Sequence, residues 1–176
     1  MTSDALRSIP PERPDTRKNM TERERRPTDD DTCRIVRVRT DDYPTLLRIW
    51  EASVRATHGF LAEADLLRIR GRLVSDYFPA VELHAAFIDG RPVGFAGLAG
   101  DRLEMLFVHP DFFGRGAGRA LLVFAIREKG VKRVDVNEQN GRAESFYRAH
   151  GFRTASRDAT DADGLPYPIL HMVLRQ

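Results

Sequence analysis

Apolar positions recur along residues 34–174 with two different periods, and each change of period marks an element. Arg34 to Arg39 sets Ile35 and Val36 among arginines and reads as a strand. Thr40-Asp41-Asp42 then supplies capping groups, and Pro44 suits a first helical turn. Leu46, Leu47, Trp50 and Val54 follow at helical spacing. Ala62 to Tyr77 predicts a second helix, stopped by Pro79. Val81 to Ile88 and Val93 to Ala99 flank Asp89-Gly90-Arg91-Pro92, and an Asp-Gly turn between apolar runs signals a hairpin. Leu103 to Val108 is a third strand after the Gly100-Asp101 turn, so the sheet centre is expected to be antiparallel. Ala117 to Glu128 reads as a helix, Val131 to Val136 as a strand, then a helix, Phe152 to Ser156 and a final strand. This order, with no internal repeat, predicts an α+β class with a mixed sheet wrapped by helices.

Residues 1–32 break the pattern. They hold seven Lys or Arg, eight Asp or Glu, four prolines and few large apolar side chains. Such a segment buries too little apolar surface to offset the entropy of ordering it, so it is expected to be a disordered extension. The domain is then 33–176. No apolar run approaches the roughly 18 residues that span a bilayer, and the first ten lack a secretory core. Cys33 is the single cysteine, so no internal disulfide is expected, and the five histidines share no metal-binding spacing. A net charge of +2 gives no argument for nucleic acid. The expectation is a cytoplasmic protein without a membrane, nucleic-acid or metal partner.

The most informative stretch runs from Leu103 to Leu122, where an apolar strand enters a glycine-rich turn that opens into a helix. Gly114, Gly116 and Gly118 would let a ligand approach the backbone closely. Amides of a first helical turn lack intrahelical partners, and the helix dipole there favours negative charge. Arg115 and Arg119 add cations for phosphate oxygens. No Gly-Lys-Ser/Thr follows, so this is not a Walker loop, and the turn comes too late in the chain for a dinucleotide fold. Glycines that serve only helix–strand packing remain an alternative at this level.

Phe113-Gly114-Arg115-Gly116-Ala117-Gly118 after Val108-His109-Pro110, with Asn140-Gly-Arg-Ala143-Glu-Ser-Phe146-Tyr147 and then Gly151-Phe152, resembles the GNAT acetyltransferase superfamily. The family usually has Gln or Arg where Phe113 stands. The match spans nearly all of 34–176. It implies the GNAT fold, a mostly antiparallel six- to seven-stranded sheet flanked by about four helices. It also implies acetyl-CoA as acyl donor, an amine acceptor attacking directly in a ternary complex, and dimerisation, common in the superfamily, as an option. A non-catalytic acyl-CoA sensor is the alternative reading.

The resemblance places Leu106, Phe107 and Val108 beside the pantetheine arm, with a main-chain amide near Phe107 or Val108 donating to the thioester carbonyl. Asn140 and Tyr147 are almost two helical turns apart and would share one face, about 10 Å from each other. Asn140 would contact the arm. Tyr147, protonated at neutral pH, would donate to the leaving sulfur, unless it is merely a half-buried aromatic. An ammonium acceptor must lose a proton. Glu104, a carboxylate in a largely apolar strand, is the leading base, with a surface pair to Arg102 or a water chain as alternatives. His58, in the segment that the resemblance puts on the acceptor side, would orient substrate or act as base, or cap a helix. Tyr167, in the acidic 158–167 connection, is a second acceptor contact, or part of a solvated linker.

Overall fold

A computed structural model of the protein describes residues 33–175, and the expected extension at 1–32 lies outside them. The elements are β1 (Arg34–Arg37), α1 (Tyr43–Thr57), α2 (Glu63–Arg72), β2 (Glu82–Ile88), β3 (Arg91–Ala99), β4 (Arg102–Val108), α3 (Ala117–Lys129), β5 (Arg133–Asn137), α4 (Gly141–Ala149), β6 (Phe152–Asp158) and β7 (Ile169–Leu174). Their order is the one that periodicity predicts. Among these elements no helix is long and apolar enough to cross a membrane.

One predicted helix is interrupted. α2 ends at Arg72, and Leu73–Tyr77 forms a wider, π-type turn in which the Phe78 amide donates to the Leu73 carbonyl at 2.8 Å. A regular turn would carry Phe78 away from the sheet. The widened one brings it round to the face of Leu73, where both are fully buried.

The seven strands form one sheet in the order β1-β2-β3-β4-β5-β7-β6. The β2–β3 hairpin closes through Asp89 and Gly90, whose φ values of 51° and 69° belong to the turn that matches strand twist. Every neighbouring pair is antiparallel except β4 and β5, which run parallel. Leu121, Leu122, Ala125, Phe152 and Met172 belong to a core under α3 and α4. Leu46, Trp50, Leu73, Phe78 and Phe95 form a second core under α1 and α2, on the opposite face. Strand alternation feeds both: Ala96 enters the first and Phe95 the second.

Two irregularities in β4 matter for function. Leu98 pairs with Leu103 and Gly97 with Met105, so Glu104 is the extra residue of a bulge. On its other side, β4 pairs with β5 only at Arg102–Arg133 and Leu103–Val134. Beyond that point the strands diverge, and the sheet is split.

Candidate active site

The split leads to the turn between β4 and α3. Gly114 and Gly116 have φ of +78° and +87°, a region that disfavours any side chain, and a Cβ at either would meet nothing within 4 Å. Gly118 is helical, and a Cβ there would make only ordinary contacts, with Val108 at 3.7 Å and Phe146 at 3.9 Å. The protein's own packing therefore tolerates a side chain at Gly118, and its absence keeps space open over the helix start. Gly116 caps α3 without a side-chain bond, and the helix ladder begins when the Ala120 amide meets the Gly116 carbonyl at 2.9 Å. The amides of Gly114, Gly116, Ala117, Gly118 and Arg119 have no partner among the described residues, whereas that of Arg115 donates to Phe112 at 3.3 Å. Unpaired donors and the positive end of a 13-residue helix converge on one spot.

That spot is one end of a cavity of about 410 Å³. β4 lines it with Leu106, Phe107 and Val108, and α1 with Ser53 and Thr57, followed by His58 just past the helix end. The turn and α3 contribute Phe112, Phe113, Gly114, Gly116, Ala117, Gly118 and Arg119. α4 supplies Asn140, Arg142, Ala143, Phe146 and Tyr147. The His109 amide donates to the Val93 carbonyl at 2.8 Å, so that residue faces β3. By alternation Phe107 also faces β3 with its main chain, while the polar groups of Leu106 and Val108 face the split. The expected donor is thus Val108 or Leu106, not Phe107, whose ring remains in the wall.

Asn140 and Tyr147 reach the same cavity by different means than the expected shared helical face. Asn140 precedes α4 as its cap, and its side-chain oxygen accepts from the Ala143 amide at 3.1 Å. Its amide nitrogen is left for a ligand. Tyr147 is 6% exposed, its ring set edge-on to Phe146 and Phe152. Burial pushes its pKa well above the ordinary phenol value, so it is a protonated donor throughout the neutral range.

Other expected residues lie elsewhere. The Arg115 side chain is absent from the wall: its guanidinium stacks on Phe112 at 5.0 Å and approaches Asp89 at 3.5 Å. Glu104 is also outside the wall, since the bulge re-aims it to an exposed position 3.6 Å from Arg102. Burial and the nearby Asp135 raise its pKa, against the lowering influence of Arg102 and Arg133. Tyr167 is buried, its hydroxyl donating to Asp65 at 2.6 Å and accepting from the Ala62 amide at 3.2 Å. A hydroxyl so committed is a strut between the 159–168 connection and the start of α2, not an acceptor contact. His58 does line the cavity, beside Phe60 and Phe107.

Sequence reasoning missed Arg142, Ser53 and Thr57. Arg142 sits over the Phe113 ring at 4.4 Å. A cation reaching in from α4 thus stacks on the residue that departs from the family pattern, and the signal was an arginine two positions after Asn140. Ser53 and Thr57 are marked only by the four-residue repeat of hydroxyls on α1, which ends beside the expected His58.

Residues 79–154 match the acetyltransferase (GNAT) domain family. The chain is 39% identical, over 140 residues, to the peptidyl-lysine N-acetyltransferase YjaB of Salmonella typhimurium, covering 79% of this chain and 96% of that protein. The solution structure of apo-form YjaB from Escherichia coli superposes with a TM-score of 0.75 at 35% identity, covering 81% of this chain and 97% of that one. PaiA N-acetyltransferase of Thermoplasma acidophilum, solved in complex with coenzyme A, has the same fold (TM-score 0.66, 21% identity, 82% of this chain and 99% of that one). A split mixed sheet, an unpartnered amide cradle at the resulting cleft and this kinship lead to one conclusion: the chain belongs to the GNAT acetyltransferase family and takes acetyl-CoA as its acyl donor.

Proposed function

We propose that the acceptor is the side-chain amine of a protein lysine. The observation that carries this is the extent of the likeness to YjaB, which spans the α1–α2 side of the cavity as well as the cradle. In this reading the amides of Gly114 and Gly116 to Arg119, with the Arg119 and Arg142 side chains, hold the pyrophosphate. The main-chain groups of Leu106 and Val108 and the Asn140 side chain hold the pantetheine arm. A main-chain N–H of β4 meets the thioester oxygen and strengthens its hydrogen bond as charge develops there. Tyr147 donates to the sulfur as it leaves. The expectation of a cytoplasmic protein belongs to the same proposal.

The test pairs thiol release with mass spectrometry, using acetyl-CoA and peptides that offer either a free lysine or only a free N-terminus. Acetylation is expected on the lysine side chain. Tyr147→Phe in the same assay is expected to lower kcat by about 10²-fold, the lower range for a lost general acid. Turnover confined to N-terminal or small-molecule amines would refute the acceptor assignment, and an unchanged kcat would refute the role of Tyr147.

A further inference from the structure

At the C-terminus of α1 one hydroxyl hydrogen faces two neighbours. Thr57 Oγ1 lies 2.7 Å from the main-chain oxygen of Ser53 and 2.8 Å from Nδ1 of His58. A carbonyl only accepts, so the threonine hydrogen is committed to Ser53. The 2.8 Å contact then requires a hydrogen on Nδ1, with the threonine oxygen accepting. A neutral imidazole protonated at Nδ1 carries its lone pair on Nε2, the ring nitrogen with no partner among the described residues.

We propose that His58 Nε2 is the base that deprotonates the acceptor amine, and that Thr57 is the positioning residue that holds its tautomer. The inference rests on the acyl-transfer reading above and adds the group which that reading leaves unnamed. His58 lines the cavity shared with Tyr147, whereas Glu104 stands outside the wall. The ring is flanked by Phe60 at 5.3 Å and Phe107 at 6.4 Å between centroids. The titratable side chains sharing its cavity are Tyr147, Arg119 and Arg142. Burial alone lowers its pKa, so the ring is neutral at pH 7 and its lone pair is free.

The proton count closes. The acceptor ammonium gives one proton to His58 Nε2, and its freed nitrogen lone pair forms the C–N bond to the acetyl carbon. The C–S bond breaks with its electron pair on sulfur. A second N–H proton reaches the sulfur by way of the Tyr147 hydroxyl, which gives up its own proton and takes that one. The proton on His58 leaves to solvent.

The direct test is nitrogen-15 NMR of the imidazole in the full chain. The Nδ1–H tautomer is expected at pH 7.5, and Thr57→Val is expected to shift the ring toward Nε2–H, while Thr57→Ser restores the wild-type signal. An Nε2–H ring in the wild type, or one indifferent to Thr57→Val, would overturn the proposal whatever the acceptor proves to be. In kinetics, His58→Gln is expected to lower kcat by at least about 10²-fold. It should also abolish the acid limb of the kcat/KM profile below pH 6.5, with coenzyme A affinity by calorimetry and the melting temperature unchanged. An acid limb that survives in a folded His58→Gln protein would also overturn the assignment. A failure of lysine peptides as acceptors leaves the tautomer result standing, so the two readings fail separately.

Discussion

Arg142 and Phe113 show how one departure is met by another side chain. An aromatic ring at 113 lacks the hydrogen-bond donors of Gln or Arg, yet its face attracts a cation, and the Arg142 guanidinium occupies that face at 4.4 Å. The arginine is thereby held at the cavity wall, where its remaining donors are open to a ligand. Truncation removes both the stack and the charge. Arg142→Ala is therefore expected to raise KM for acetyl-CoA about 10-fold with kcat nearly unchanged, the signature of lost uniform binding. In Phe113→Ala the same truncation should cost less, because the arginine is no longer oriented. Steady-state kinetics on the two single variants and the double variant would decide. Equal losses in both backgrounds would mean that the ring plays no part in placing the cation.

Among the elements, β4 bears the most. Its N-terminal end pairs with both neighbours, the bulge at Glu104 follows, and the remainder is held by β3 alone. That one-sided support depends on Gly94 of β3, where a Cβ would stand 2.8 Å from the Phe107 carbonyl oxygen and 3.0 Å from Val108 Cγ2. Both obstacles belong to the strand that walls the cleft. Gly94→Ala must push β4 toward the split, and overpacking of this kind costs about 1–3 kcal/mol. A lower denaturation midpoint is expected, together with weaker coenzyme A binding by calorimetry. Wild-type affinity in a destabilised Gly94→Ala protein would show that the position of β4 does not set the cleft. The same local logic explains which elements were legible. The Asp89-Gly90 turn, the capping Asn140 and the glycines at 114 and 116 act within a few residues and read directly from the chain. The widened turn at Leu73–Tyr77 does not, because its cause is a second buried anchor, Phe78, that must face the same core as Leu73.

At the scale of the whole molecule, two cores on opposite faces hold one sheet, and the cleft lies where that sheet fails to close. A ligand filling the cleft bridges α1, β4, α3 and α4, elements drawn from both layers. Binding to the native state alone stabilises by about 2.7 kcal/mol at a hundredfold excess over Kd. Coenzyme A at that excess is expected to raise Tm by roughly 5–10 °C for a domain of this size. A melting curve indifferent to coenzyme A would contradict a preformed cradle. The residues in chain order sufficed for the class of fold, the order of elements, the family blocks and the glycine-rich turn that opens α3. Each of these follows from periodicity and backbone preferences that operate over one or two turns. The opening between β4 and β5, the commitment of the Tyr167 hydroxyl to Asp65 102 residues away, and the turning of Arg115 toward Asp89 required the folded molecule. Those outcomes are competitions between distant groups for space and hydrogen-bond partners, and only the packed chain brings the competitors within reach of one another.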